Sequence, residues 1–448
     1  MSRDLKPARA IGGEIEVPGD KSIAQRAALF ALLAKGPIIA HNFPKGADSQ
    51  TALKVIRQFG VEVENQGTAL AFTPPSSVGI ADDTFIDCGN SGTTARLLAG
   101  IAAGAPWTIV LTGDESLSRR PMKRIADPLI AMGAELITTE GHLPMTVKGK
   151  KLLPFEFTLP VPSAQLKSSL LLAGLASHCS VTVREITPSR NHTEIMIEQL
   201  GSGLAIRDIK AEMVEDPKDP RKRKMVMPEE FRREITITAQ AEITGGELHI
   251  PGDFSTAAYF FALAAISQGT IAVRNVGLNS TRTSFLDHLK TIGAKVDISD
   301  KQTLSGELRG TVTVTGREIK PRRIAGETVV GLIDEIPLVA MMAAFAEGTT
   351  VIRDAAELRV KESDRLAAMA DNLTRMGISC GLLEDGLAIE GGNELSGTDF
   401  ISHGDHRIAM ACAVASQMLV GPSTLDDDAC VGVSCPEFFD LLAKVAHE

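Results

Sequence analysis

A chain of 448 residues, 44% apolar and 23% charged, has the length of two to three domains and the composition of a globular protein. Disordered, collagen-like and coiled-coil classes are excluded. The net charge of −10 argues against a nucleic-acid-coating surface, and a single Trp and a single Tyr argue against aromatic platforms for stacking sugars or unpaired bases.

The N-terminal residues Met1–Pro7 lead into no apolar signal-peptide core. The longest nearly apolar stretch, Ile336 to Ala346, is far shorter than the ~20 residues of a membrane span. Six cysteines lack paired C-x-x-C spacing, and Cys430 and Cys435 have no matching second pair, so the expectation is a reduced cytoplasmic protein without a metal site. His403 and His406 have no supporting ligand motif, and Asp426–Asp428 read as acidic turn residues.

In chain order, a strand-like Gly13–Val17 comes first, without a helix before it. Six Ala-rich runs ending near a Gly then recur: Ala27–Gly36, Thr93–Gly104, Ser168–His178, Thr256–Gly269, Ile336–Gly348 and Arg407–Gly421. Their spacing averages about 77 residues, and each is apolar nearly all round, as a helix buried on every side requires. A short strand-like stretch follows each, from Ile38–Ala40 and Trp107–Val110 to Val181–Val183, Thr270–Val273, Thr349–Ile352 and Ser423–Leu425. Amphipathic helices come next, at Leu53–Gly60, Ile125–Gly133, Ile195–Gly201, Phe285–Gly293 and Leu366–Gly377. Six such units suit two α/β domains of three units better than an open solenoid, for which terminal caps are not evident. The charged stretch 207–234 reads as a solvated loop near a domain boundary.

The residues before each buried run combine capping types with Gly, Lys or Arg: Pro18–Ser22, Gly89–Thr93, Pro162–Ser168, Pro251–Thr256, Asp334–Pro337 and Gly404–Arg407. Any one of these could be plain capping. Six helix N-termini brought together would make an anion site. Basic clusters add to this at Ser118–Pro121, Ser189-Arg190 and Arg359–Arg365. In the last, the spacing of Lys361, Glu362 and Arg365 suggests one helical face. An acidic chain that gathers Lys21, Arg26, Arg120, Arg190 and Arg407 at helix starts suits a small, multiply anionic ligand. Neither a Walker pattern nor Gly-x-Gly-x-x-Gly is present to indicate a nucleotide. Asp334 and Glu362 are the candidate proton-transfer groups, each beside cations that keep its pKa low.

Taken together, Pro18–Arg26 (PGDKSIAQR), Gly89–Arg96 (GNSGTTAR), Arg120-Pro121, Ser163–Ser168 (SAQLKS), Pro188–Arg190, Pro251–Ala257, Leu332–Pro337 (LIDEIP), Arg359–Leu366 (RVKESDRL) and Asp405–Met410 (DHRIAM) resemble the 5-enolpyruvylshikimate-3-phosphate (EPSP) synthase family over nearly the whole chain. The resemblance implies the two-domain enolpyruvyl-transferase fold of six βαβαββ units, three per domain, with buried parallel helices. The expected domains are residues 20–252, carrying the insert 207–234, and residues 1–19 with 253–448.

It also implies transfer of the enolpyruvyl group of phosphoenolpyruvate to the 5-hydroxyl of shikimate 3-phosphate, releasing phosphate, without metal or organic cofactor. Lys21, Ser22, Arg26, Ser163, Ala164, Gln165, Ser189, Arg190, Asp334 and Lys361 would bind shikimate 3-phosphate. Lys21, Asn90, Gly92, Arg120, Gln165, Arg365 and Arg407 would surround phosphoenolpyruvate. Lys21, Asp334 and Glu362 would be catalytic. Asp334 would take the hydroxyl proton and Glu362 would handle the proton at the methylene carbon. A cytoplasmic monomer that binds neither nucleic acid nor membrane, in a family that is the target of glyphosate, is the expectation that follows.

Three features depart from the family pattern: Ala24-Gln25 in place of Ser-His, Val433 in place of Lys, and the length of 207–234. The rival readings are the related UDP-N-acetylglucosamine enolpyruvyl transferase and a non-catalytic binding protein on the same scaffold. The first typically carries a Cys in the loop before its Arg-Pro, and Gly113–Arg119 has none. Retention of both carboxylates and the cations argues against the second.

Overall fold

Asp20, Ser91, Ser163, Asp253 and Asp405 each turn a side-chain oxygen onto a backbone N–H two or three residues on, and so start five of the six buried helices. These are α1 (Lys21–Phe30), α2 (Gly92–Gly104), α3 (Ala164–Ser177), α4 (Phe254–Ser267) and, last in the chain, α6 (His406–Ser416). Between them, α5 (Ile336–Ala343) begins with Pro337 in its first turn, where a missing N–H costs nothing. The caps place α1 and α3 earlier than the apolar runs suggested, so Lys21, Ser22, Gln165 and Lys167 lie inside first turns. The computed structural model describes residues 2–210, 212–216, 219–227, 229–392 and 395–447, with the backbone alone for 213–216 and 219–226.

Four of these helices join parallel strands of one sheet. Thr84–Asp87 pairs with Thr108–Thr112 around α2, and Phe155–Leu159 with Val181–Glu185 around α3. Arg323–Ile324 pairs with Gly348–Ile352 around α5, and Asp399–Phe400 with Ser423–Leu425 around α6. The other two pairs exchange partners. Ala10–Glu16 precedes α1 yet lies beside Thr270–Gly277, which follows α4. Gly246–His249 precedes α4 yet lies beside Ile38–His41, which follows α1. The chain therefore crosses twice between two bodies, at 17–20 and 250–253, where Gly19 and Gly252 form an antiparallel bridge.

Each body has its own apolar core. One is built from residues between Ile23 and Ile250, the other from Leu5, Ile15, Val17 and residues from Phe254 to Val445. In the first, α2 and α3 approach so closely that a Cβ on Gly100 would lie 2.1 Å from the Ser169 carbonyl oxygen. Four of the five amphipathic helices end as their sequences indicate, with Gly60, Gly133, Gly293 and Gly377 at φ of 85°, 102°, 116° and 84°, whereas Gly201, at φ −162°, is extended and begins a strand.

Two readings are corrected. The stretch 207–234 is not a loop: Gly201–Asp208 and Arg233–Ile243 pair antiparallel, and Glu212–Asp216 pairs with Asp219–Val226. Charges at its two ends are cross-strand partners, with Arg207 opposite Glu234 and Asp208 opposite Arg233. Positions 211, 217, 218 and 228 of the stretch lie outside the described residues. Nor do Lys361, Glu362 and Arg365 share a helical face. A 3-10 turn ends at Val360, Asp364 caps a helix that begins only at Arg365, and Lys361 and Glu362 stand in the joint between them.

Candidate active site

The capped helix starts of the two bodies meet across one gap. Asp20 N donates to the Pro251 carbonyl and Lys21 N to Asp253 Oδ2 (3.1 Å), so α1 and α4 begin side by side. Gln25 Nε2 donates to Ser91 Oγ (2.6 Å), Gln165 Nε2 to Thr93 Oγ1 (3.0 Å), and Arg407 Nη1 to the Asp334 carbonyl (2.9 Å). These bonds tie α1 to α2, α2 to α3, and α5 to α6. N–H groups and dipole ends facing one space favour anions there.

The first body supplies mostly cations. Lys21 Nζ lies 2.9 Å from Asp48 Oδ2. Arg120 is 6% exposed; its Nη2 donates to Asn90 Oδ1 (2.6 Å) and Ser116 Oγ (3.1 Å). Gly92 opens α2 next to it, and Asn90 in turn donates to Asp114 (2.7 Å). Ser163 caps α3, Ala164 is its first residue, and Gln165 Oε1 accepts from Arg96 Nη1 (2.7 Å). Ser189 is held by Glu185, which accepts from its N–H (2.9 Å) and its hydroxyl. That turn aims Arg190 into the gap. Arg26 is buried, donating to Thr193 Oγ1 (2.9 Å), Ser168 Oγ (3.3 Å) and the Ser22 carbonyl (2.9 Å). Burial and the nearby Arg190 push its pKa down to about 10, against the pull of Glu194, Asp20 and Glu307.

The second body supplies the carboxylates. Asp334 accepts from Arg190 across the gap and from Arg282 Nη1 (3.4 Å), with Arg407 Nη2 at 3.7 Å. Burial alone would raise its pKa, but Arg190, Arg407, Lys361 and Arg282 hold it well below the usual carboxylate range. Glu362 accepts from Arg365 Nη2 (2.6 Å) and faces Arg120 Nη1 at 3.5 Å. It too is held low, because Arg365 and Arg120 outweigh its desolvation. Arg365 is fixed from behind by Asp405, at 2.8 Å from its Nε. Lys361 Nζ lies 3.8 Å from Glu357. His406, withdrawn from water beside Lys21, is pushed down to about 3 and is therefore neutral.

Sequence reasoning gave no site role to Asp48, Arg96 or Arg282. Arg282 is buried between Asp334 and Glu335, donates to Ser255 Oγ, and leaves its Nε without a hydrogen-bond partner among the described residues. The turn Asn279–Arg282 carries no local signal of this role. Val433, where the family pattern has Lys, ends a short 3-10 turn next to Ser434, whose carbonyl packs on Gly46.

Two three-unit bodies joined by a double crossing, with cation-bearing helix starts facing buried carboxylates, define a two-domain α/β transferase fold of the enolpyruvyl-transferase type. The enolpyruvyl transferase NikO from Streptomyces tendae shares that fold at 16% identity, with a TM-score of 0.74 over 99% of this chain and 97% of its own. The chain belongs to the EPSP synthase (3-phosphoshikimate 1-carboxyvinyltransferase) family, whose model matches residues 5–230 and 224–442. It is 43% identical to the 3-phosphoshikimate 1-carboxyvinyltransferase of Anaeromyxobacter sp. (strain K), over 98% of this chain and 95% of the relative. That of Salinibacter ruber is 41% identical over the full length of both. The structure of EPSP synthase from Acinetobacter baumannii superposes with a TM-score of 0.80 at 34% identity, covering 99% of this chain and 98% of that one. Among the described residues no helix is long and apolar enough to cross a membrane.

Proposed function

We propose that the gap residues carry out the reaction of this family, transfer of the enolpyruvyl group of phosphoenolpyruvate to the 5-hydroxyl of shikimate 3-phosphate with release of phosphate. The observation that carries this reading is a pair of contacts: Asp334 and Glu362, from one body, each face an arginine of the other. Both carboxylates are anionic at neutral pH, as proton acceptors must be.

In this reading Lys21, Ser22, Arg26, Ser163, Ala164, Gln165, Ser189, Arg190 and Lys361 hold shikimate 3-phosphate. Lys21, Asn90, Gly92, Arg120, Gln165, Arg365 and Arg407 hold phosphoenolpyruvate. As Arg190 and Arg407 turn to the substrate anions, Asp334 loses part of its counter-charge. Its basicity rises where the 5-hydroxyl proton must leave. The 5-oxygen bonds to the substituted vinyl carbon as Asp334 takes its proton, and Glu362 relays a proton from solvent to the methylene carbon, which becomes a methyl group. Glu362 then takes a proton back from that methyl group as the carbon–oxygen bond to phosphate breaks, so phosphate leaves with the bonding pair and the double bond returns. Arginine forks stabilise the phosphate and carboxylate through both steps.

Residues 20–252 and residues 1–19 with 253–448 would act as the two domains, a division supported by the separate cores and the exchanged strands. Every residue assigned a role comes from one chain, so a monomer suffices. The test is phosphate release from phosphoenolpyruvate in the presence and absence of shikimate 3-phosphate. Release that requires shikimate 3-phosphate is expected; release only with UDP-N-acetylglucosamine, or none with either, would overturn the assignment.

A further inference from the structure

Away from the gap, the strand exchange assembles a cluster of metal-ligand side chains. Ile38–His41 and Gly246–His249 run parallel, and their register puts His41 directly beside His249. The imidazoles stack, with centroids 4.2 Å apart and planes 6° from parallel, so their in-plane lone pairs run side by side and a shared ion requires one ring to turn about its χ2. Glu247, two positions before His249, projects from the same face of its strand. Its Oε2 lies 3.6 Å from His41 Nε2 and 3.7 Å from His249 Nε2, and the three ligand atoms all lie within 4.8 Å of one another. The edge of a tetrahedron with metal–ligand bonds near 2.0–2.2 Å is about 3.4 Å, so two sides of the triangle are already close to it.

His41 Nε2 is buried and has no hydrogen-bond partner among the described residues. A nitrogen in that state costs free energy until something occupies its lone pair or takes its proton. The side chains are 30% (His41), 34% (His249) and 61% (Glu247) exposed, so the cluster lies at the surface. Arg309 is the neighbouring cation. It donates to the carbonyls of His249 and Leu304 and to Asn275, which fixes the strand rather than blocking the ring nitrogens.

We propose that His41, Glu247 and His249 form a site for a borderline divalent transition metal of the zinc class, separate from the catalytic gap. Two imidazoles and one carboxylate are the donor set such an ion prefers over magnesium or calcium. The site lies where the chain leaves one body for the other. Ile250 N donates to the His41 carbonyl (3.2 Å), Asn42 Nδ2 donates to the Ile250 carbonyl (3.1 Å), and His249 N donates to Ser305 Oγ (2.9 Å) of the second body. A metal bridging the two strands braces that crossing and takes no part in the transfer chemistry.

The test titrates the full-length, metal-free chain with zinc against a chromophoric chelator, with thermal melting in parallel. One zinc per chain is expected, with a melting temperature that rises with zinc concentration as binding to the folded state requires. His41→Gln and His249→Gln should each weaken zinc binding at least about tenfold while melting like the wild type without metal. Cobalt bound to the wild type should show the spectrum of nitrogen and oxygen ligation without a thiolate charge-transfer band; this arm does not depend on any variant folding. Equal zinc uptake by the wild type and either variant, a thiolate band, or no uptake by the wild type would each overturn the proposal.

Discussion

Arg190 and Asp334, 144 positions apart, hydrogen-bond across the gap, so the guanidinium proposed to take a substrate anion holds the carboxylate proposed to take the substrate proton. Replacing Asp334 with Asn preserves the shape and removes the acceptor. We expect Asp334→Asn to lower kcat by roughly 10²–10⁴-fold with little change in KM. Steady-state kinetics with each substrate varied in turn decide it, and an unchanged kcat would remove Asp334 from proton transfer.

Acid should act on the cross-gap contacts with a definite sign. Asp334 and Glu362 have folded pKa values below their unfolded ones, so their contribution to stability is in place above about pH 5. It is lost as pH falls through the depressed folded values. Melting temperature against pH should fall less steeply on the acid side for Asp334→Asn than for the wild type. Equal slopes would mean the contacts contribute nothing.

Arg282 is the cation on Asp334 that the substrates do not recruit. In Arg282→Gln the carboxylate should lose its orientation, with kcat falling roughly 10–100-fold, KM barely changing, and the acid limb of the kcat profile moving to higher pH. Arg282→Lys should recover part of this. A purely structural role would lower stability and leave the pH profile in place.

Gln25, which stands where the family pattern has His, donates to Ser91 Oγ and to the Asp48 carbonyl (3.2 Å) from a buried position. Gln25→Ala should cost ~1–3 kcal/mol of stability and raise KM for phosphoenolpyruvate more than for shikimate 3-phosphate. Urea unfolding and paired KM measurements test both parts.

A Cβ on Gly92 would stand 3.0 Å from Arg96 Nη1 and 3.4 Å from Arg120 Nη1. Gly92→Ala therefore narrows the proposed phosphoenolpyruvate side, and glyphosate, the longer ligand, should lose roughly 10–200-fold in affinity while phosphoenolpyruvate loses less. A parallel rise in the inhibition constant and KM would reject the steric account.

Lys167 is fully buried between Glu185 (3.1 Å) and Glu194 (2.7 Å), behind the turn that carries Arg190. Lys167→Ala removes the cation that directly pairs both carboxylates and should destabilise the protein by ~3–5 kcal/mol. Denaturant melts measure it, and a loss below ~1 kcal/mol would contradict the packing described.

The sequence by itself determined the parts: six small-residue helices, the caps that start five of them, the glycines that end their amphipathic partners, and the candidate cations at helix starts. These are properties of a few neighbouring residues, written in spacing and in the shape of Gly, Ser and Asp. Tertiary structure decided which sheet each strand joined. The alternation of Ala10–Glu16 marks a strand, but only packing sends it to the second body and brings Gly246–His249 back to the first. The same holds for charge. The helical spacing of Lys361, Glu362 and Arg365 was misleading because Asp364 restarts the chain between them. Arg282 and Asp48 entered the site through partners dozens of positions or more away in no discernible motif. A charged side chain pairs with whatever folding brings within a few ångströms, and that distance is set by the packed bodies rather than by its neighbours in sequence.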